Sequence, residues 1–101
     1  MEQSAEGETL VQEDQEVKEP EEYRVILLND DYTTMEFVVA VIITIFHKGL
    51  AEATTIMLDV HKKGRGIVGV YPFDIAATKV EQVHKLARDN GYPLKCTMEK
   101  A

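Results

Sequence analysis

Asn29, Asp30 and Asp31 set an amide and two carboxylates in a row just after an apolar run, and His61 puts an imidazole on a helical face beside Met57. Each feature has an ordinary explanation. Asn and Asp are common turn formers, acids are favoured near the positive end of a helix, and a single His on an apolar face is more often packed than ligating. Together they read differently. Asn29, Asp30 or Asp31 and His61 can jointly surround a small cation while Met35, Val38 and Met57 supply apolar walls, giving a pocket that is apolar with one polar rim. If the cation is an ammonium, it is the α-amine at a peptide's N-terminus. Such an amine has a reference pKa of about 7.7 to 8.0 and is mostly charged near neutrality; acceptors hold it while the first side chain fills the cavity. That describes a binding module. If the cation is a divalent metal, Asp30, Asp31 and His61 would activate water in a small hydrolase. Adjacent residues such as Asp30 and Asp31 do not readily point the same way, and the sequence offers neither a third strong ligand nor an obvious base, so the ammonium reading is favoured.

Other motifs carry less. The string Gly64-Arg65-Gly66-Ile67-Val68-Gly69 matches G-x-G-x-x-G in form, but a dinucleotide fingerprint follows a strand and opens a helix, and here the order is reversed. Gly64 reads as a helix cap and Gly69 as a bulge or a close backbone approach. Nucleic acid is disfavoured as a partner because the only basic cluster is Lys62-Lys63-Arg65. Cys96 takes an inward strand position and reads as packed rather than nucleophilic, and one thiol can build neither an internal disulfide nor a metal cluster. No metal and no cofactor are expected.

The elements that must position these residues follow from the punctuation. Tyr23 to Leu28 is a short, partly β-branched run ending at Asn29-Asp30-Asp31, a strand and then a turn. Thr33-Thr34-Met35-Glu36 reads as a capping box with Thr33 as the cap and Glu36 three residues on. The stretch from Phe37 to Phe46 is β-branched enough to suggest a strand. The capping box, the length and the Lys48-Gly49 stop nevertheless favour a helix, covered on most sides or bordering a pocket. A second helix fits Leu50 to Lys63, closed by Gly64; Gly66 to Tyr71 reads as a glycine-notched strand; Pro72 and Asp74 introduce a third helix, Ile75 to Asn90. Leu94, Cys96 and Met98 alternate with Lys95, Thr97 and Glu99 as a half-buried last strand. The order β-α-α-β-α-β implies an α+β fold: one small domain in which a three-stranded antiparallel sheet packs against three helices.

Composition bounds the rest. The chain has 101 residues, 45% hydrophobic and 29% charged, with a net charge of -7. Residues 1–22 hold nine acids and one base; residues 23–101 are close to neutral. That leader is poor in large apolar residues, so residues 1–22 are expected to be a disordered acidic extension and residues 23–101 the folded domain. The apolar run around Val38 to Ile43 is too short to span a membrane. No secretory or transit signal is evident at the start, which makes the cytoplasm the expected location, and the small mixed fold suggests a monomer.

Three stretches carry a resemblance: Tyr23-Arg24-Val25-Ile26-Leu27-Leu28-Asn29-Asp30-Asp31-Tyr32-Thr33-Thr34-Met35-Glu36-Phe37-Val38, then Ala53-Thr54-Thr55-Ile56-Met57-Leu58-Asp59-Val60-His61, then Leu94 to Ala101. They resemble the ClpS family, adaptors of the ATP-dependent Clp protease, across the whole folded domain. The resemblance implies a non-enzymatic adaptor for N-degrons, capturing proteins whose first residue is Leu, Phe, Tyr or Trp and handing them to the Clp unfoldase. By matching position it implies that Asn29, Asp30 or Asp31 and His61 hold the α-amine, while Thr33, Met35, Val38, Met57, Val60 and Leu94 line or rim the side-chain cavity. Met35 would be the gatekeeper against β-branched first residues. Protonating a His61 that accepts a hydrogen bond would set two positive charges together and weaken binding. Docking on the N-terminal domain of the Clp ATPase, a ClpA-type unfoldase, would involve Asp74 and Lys79, and the N-terminal extension would act during hand-off. One departure is Thr34, where the family commonly has Pro. The alternative is a generic acidic interaction domain resembling the C-terminal domain of the ribosomal stalk protein, which shares the element order but leaves Asp31 and His61 unexplained.

Overall fold

The computed structural model describes residues 19–101. Strand β1 (Glu22–Leu28) is central: β2 (Arg65–Pro72) and β3 (Lys95–Lys100) pair with it antiparallel on either side, in the order β2-β1-β3. Alternation along β1 sends Val25 and Leu27 into a core shared with Val68 and Cys96, while Ile26 points to the opposite face. Helices α1 (Met35–Phe46), α2 (Leu50–Lys63) and α3 (Phe73–Asp89) complete the element order read from the sequence. Because β2 and β3 lie at opposite edges, α3 must cross the sheet to join them, and it touches all three strands on the way. The expected acidic leader falls largely on residues 1–18, which lie outside the described residues.

α1 forms despite its β-branched sequence because tertiary cover outweighs propensity. It lies between α2 and α3 and buries Val38, Val41, Ile42, Ile45 and Phe46. The expected cap shifts by one residue: Thr34, not Thr33, is the N-cap, its hydroxyl accepting a hydrogen bond from the Phe37 N–H at 3.1 Å. Thr33 is drawn instead into the preceding turn. The helix also stops earlier than Lys48-Gly49 implied, at His47 in a left-handed conformation (φ 58°), and Gly49 becomes the N-cap of α2. Nζ of Lys79 on α3 donates to the Ile45 carbonyl at 2.8 Å and so satisfies an acceptor that the last turn of α1 leaves open.

Two glycines in β2 have separate causes. Val68 is an extra residue between the pairs Val25↔Gly69 and Ile26↔Ile67, a β-bulge, and the Tyr71 ring lies over Gly69. Gly66 faces α2: a Cβ there would stand 2.8 Å from Val60 Cγ2 and 3.1 Å from the Ile56 backbone oxygen. The helix therefore rests directly on the strand. On the opposite face Ile26 is fully buried, and Glu99 reaches across from β3 to Arg65 on β2 at 3.2 Å while also meeting Arg24 at 3.4 Å.

Alanine in place of glycine inside a strand ordinarily raises stability by about 0.5–1 kcal/mol. Gly66→Ala should do the opposite and lower it by about 1–3 kcal/mol, the cost of overpacking against a backbone atom, measured as a shift in the denaturant midpoint.

Candidate functional site

Asn29 begins the connection between β1 and α1, and its N–H donates to the Gly64 carbonyl at 3.0 Å, tying the end of the central strand to the end of α2. Gly64 can take this place because it is the left-handed C-cap of α2, with φ 89°. The loop then wraps around Asp30. Oδ1 accepts from the N–H groups of Tyr32 (2.8 Å) and Thr33 (2.7 Å), and Oδ2 accepts from the Thr33 hydroxyl at 2.7 Å. Burial alone would raise the Asp30 pKa, but the bonds from Thr33 and Tyr32 outweigh it and hold the carboxyl below its ordinary 3.8. Asp30 is thus a turn former with most of its acceptor capacity spent inside the loop. Asp31 makes no hydrogen bond or ion pair among the described residues, leaving its carboxylate free at the surface.

A cavity of about 540 Å³ opens between this loop and the two helices. The loop contributes Asn29, Asp30, Asp31 and Thr33. The first turn of α1 contributes Met35 and Val38, and the last turns of α2 contribute Met57, Val60 and His61, which share a face by three- and four-residue spacing. Val38, Met57 and Val60 are buried walls; Met35, 42% exposed, stands at the mouth with the exposed His61. The polar groups and the apolar walls grouped from sequence therefore meet in one place. Leu94 does not join them. The alternation of β3 turns Leu94 and Cys96 inward, and Leu94 borders a different cavity of about 410 Å³ where α3 meets β3.

Tyr32, Thr34 and Glu36 also border the mouth and escaped the sequence reading. The signal was contiguity, since all three lie within the loop and first helical turn already singled out. Thr34 sits at φ -72°, within the range a proline ring imposes, so its departure from Pro leaves the backbone where Pro would hold it and adds a capping hydroxyl. Asp74 is exposed on the first turn of α3, and Lys79 is engaged with the Ile45 carbonyl and with the Phe46 and Tyr71 rings, 5.6 and 5.4 Å from its Nζ. Among the described residues no three His, Cys, Asp or Glu side chains are grouped to hold a metal ion. Burial pushes the Cys96 thiol up to about 12, so it carries little thiolate near neutrality. No helix of the described residues is long and apolar enough to cross a membrane.

Comparison with known proteins points to one family. Residues 18–97 match the family described as ATP-dependent Clp protease adaptor protein ClpS. A Clp protease adapter protein ClpS of Syntrophus aciditrophicus is 63% identical over 84 residues, covering 83% of this chain and 78% of that one. One from Acetivibrio thermocellus is 60% identical over 82 residues, covering 81% and 83%. Among solved structures, Agrobacterium tumefaciens ClpS2 bound to L-phenylalaninamide superposes with a TM-score of 0.79 at 37% identity, covering 82% of this chain and all of that one.

Acid should loosen the loop. A carboxyl held below 3.8 in the folded state contributes stability that is full above that value and lost as the pH falls through the folded pKa. Asp30→Ala should therefore lower stability by about 1 kcal/mol near neutrality, the size of a lost cap at a partly exposed site, and the difference from the parent should narrow in denaturant titrations as the pH falls through the folded pKa, below 3.8.

Proposed function

The chain belongs to the ClpS family of adaptors of the ATP-dependent Clp protease, and on that premise we propose that its 540 Å³ cavity captures the first residue of proteins marked for degradation. The protein is an adaptor: it binds proteins bearing a destabilising N-terminal residue, Leu, Phe, Tyr or Trp, and delivers them to the Clp ATPase-protease. The observation that carries the reading is the pairing of a free carboxylate, an amide and an imidazole at the rim with Val38, Met57 and Val60 as walls. L-phenylalaninamide, the ligand of the similar Agrobacterium protein, has the same two parts: a free α-amine and an apolar ring, with its carboxyl end blocked as in a chain.

In this reading Asn29, Asp31 and His61 hold the ammonium, and Asp30 shapes the loop that presents them. An internal residue has no ammonium to offer, and burying the rim acceptors unpaired costs about 1–3 kcal/mol, so the rim distinguishes a chain end from a chain interior. The apolar walls then select the side chain, with Thr33 and Met35 at the entrance and Met35 rejecting β-branched shapes. The acids Asp30, Asp31 and Glu36 around the mouth favour arrival of a cation. The partner is the N-terminal domain of a ClpA-type ATPase, met through a surface that includes Asp74 and Lys79, with the acidic leader taking part in hand-off. The adaptor acts in the cytoplasm as a monomer and catalyses nothing itself.

Fluorescence anisotropy of a labelled decapeptide beginning with Leu or Phe tests the pocket. Binding should disappear with the N-acetylated twin, weaken at least tenfold in His61→Ala, and be indifferent to a chelator. Equal binding of the acetylated peptide would overturn the proposal. Delivery is tested separately. Deleting residues 1–19, or substituting Asp74→Lys, should slow degradation of a Leu-first substrate by the Clp ATPase-protease while leaving peptide affinity unchanged; loss of affinity in either would place those residues in the pocket's support instead.

A further inference from the structure

The first-residue cavity does not end at its polar rim. A second hollow of about 470 Å³ shares Asn29, Asp30, Asp31 and Tyr32 with it and continues past Pro93 to Lys95; a third, of about 410 Å³, shares Leu28, Pro93 and Lys95 with the second and reaches Arg88. The three hollows neighbour one another in series through these shared residues. The charge changes sign along the way. The end at the rim carries Asp30 and Asp31, whereas the far end carries Lys95 and Arg88, neither of which has a carboxylate partner among the described residues. The imidazole nearby, His84, uses Nε2 to accept the Cys96 N–H at 3.0 Å and stays committed to the fold.

Resting on the first-residue reading above, we infer that the residues following a captured N-terminus run along these hollows as one track, and that Lys95 and Arg88 make the protein favour an acidic side chain at the third or fourth position. The distances fit. Lys95 pairs with Leu28 across neighbouring strands, which lie about 4.8 Å apart, and Asn29 is the first residue beyond the end of β1. An extended peptide advances about 3.3–3.6 Å per residue, so two or three residues beyond the amine bring it level with Lys95. An acid at the second position would instead lie beside Asp30 and Asp31 and be disfavoured. The downstream preference is thus opposite in sign to the preference at the rim.

The experiment compares decapeptides beginning with Leu that differ by one residue, Glu or Lys at position four, in an otherwise neutral sequence. At low salt the Glu peptide should bind about threefold more tightly, the size of an exposed charge pair, and the gap should close at high salt. In Lys95→Glu and Arg88→Glu the order should reverse, while the N-acetylated Leu peptide stays unbound throughout. An equal Glu-to-Lys ratio in the parent and both variants, with binding still dependent on the free amine, overturns the track and leaves the adaptor standing. No amine-dependent binding to either peptide overturns both.

Discussion

The seating of α2 on Gly66 is the contact on which the site depends. With no side chain at that position, the helix comes down until Val60 and the Ile56 carbonyl rest on the strand, and only at that depth can Gly64 at the helix end meet the Asn29 N–H at the strand end. One hydrogen bond then joins the element carrying His61 to the loop carrying Asn29 and Asp31. The pocket is the gap that remains between them, roofed by the first turn of α1. The residues lining the pocket from three separate elements are thereby fixed by backbone contacts rather than by each other, which leaves their side chains free.

The division of labour between neighbouring carboxylates follows from the same loop. Asp30 is spent on three hydrogen bonds and keeps its charge to lower pH, so it supplies a fixed negative potential and a rigid turn. Asp31, one residue on, turns away from that network. Two adjacent acids with different jobs are what backbone geometry imposes, since consecutive side chains in a tight turn cannot share one target. The lysine on α3 shows the same economy of position, capping α1 from a surface that also faces outward.

Much of this was legible in the sequence. The element order, the cap at Gly64, an irregularity at Gly69 and the meeting of Asn29, Asp30 or Asp31, Met57 and His61 follow from spacing and residue type. Capping details were not. Thr33 and Thr34 are chemically alike, and which one starts the helix is decided by Asp30 recruiting Thr33, a contact that a pattern of types does not encode. The hollow that Leu94 borders was not legible for a related reason. Leu94 precedes a strand whose alternation is clear, but which cavity an inward residue borders depends on how α3 crosses the sheet. Thr34 needed its backbone angle before its equivalence to proline could be seen.

The bulge at Val68 has a consequence away from the pocket. β2 is an edge strand, and a sheet of three strands leaves both edges with unpaired backbone groups, a template on which another chain's strand can grow. The extra residue breaks the regular spacing of those groups and twists the strand locally, so a flat partner finds no continuous register along it. The bulge thus guards one of the sheet's two open edges, while β3 at the other keeps a regular register.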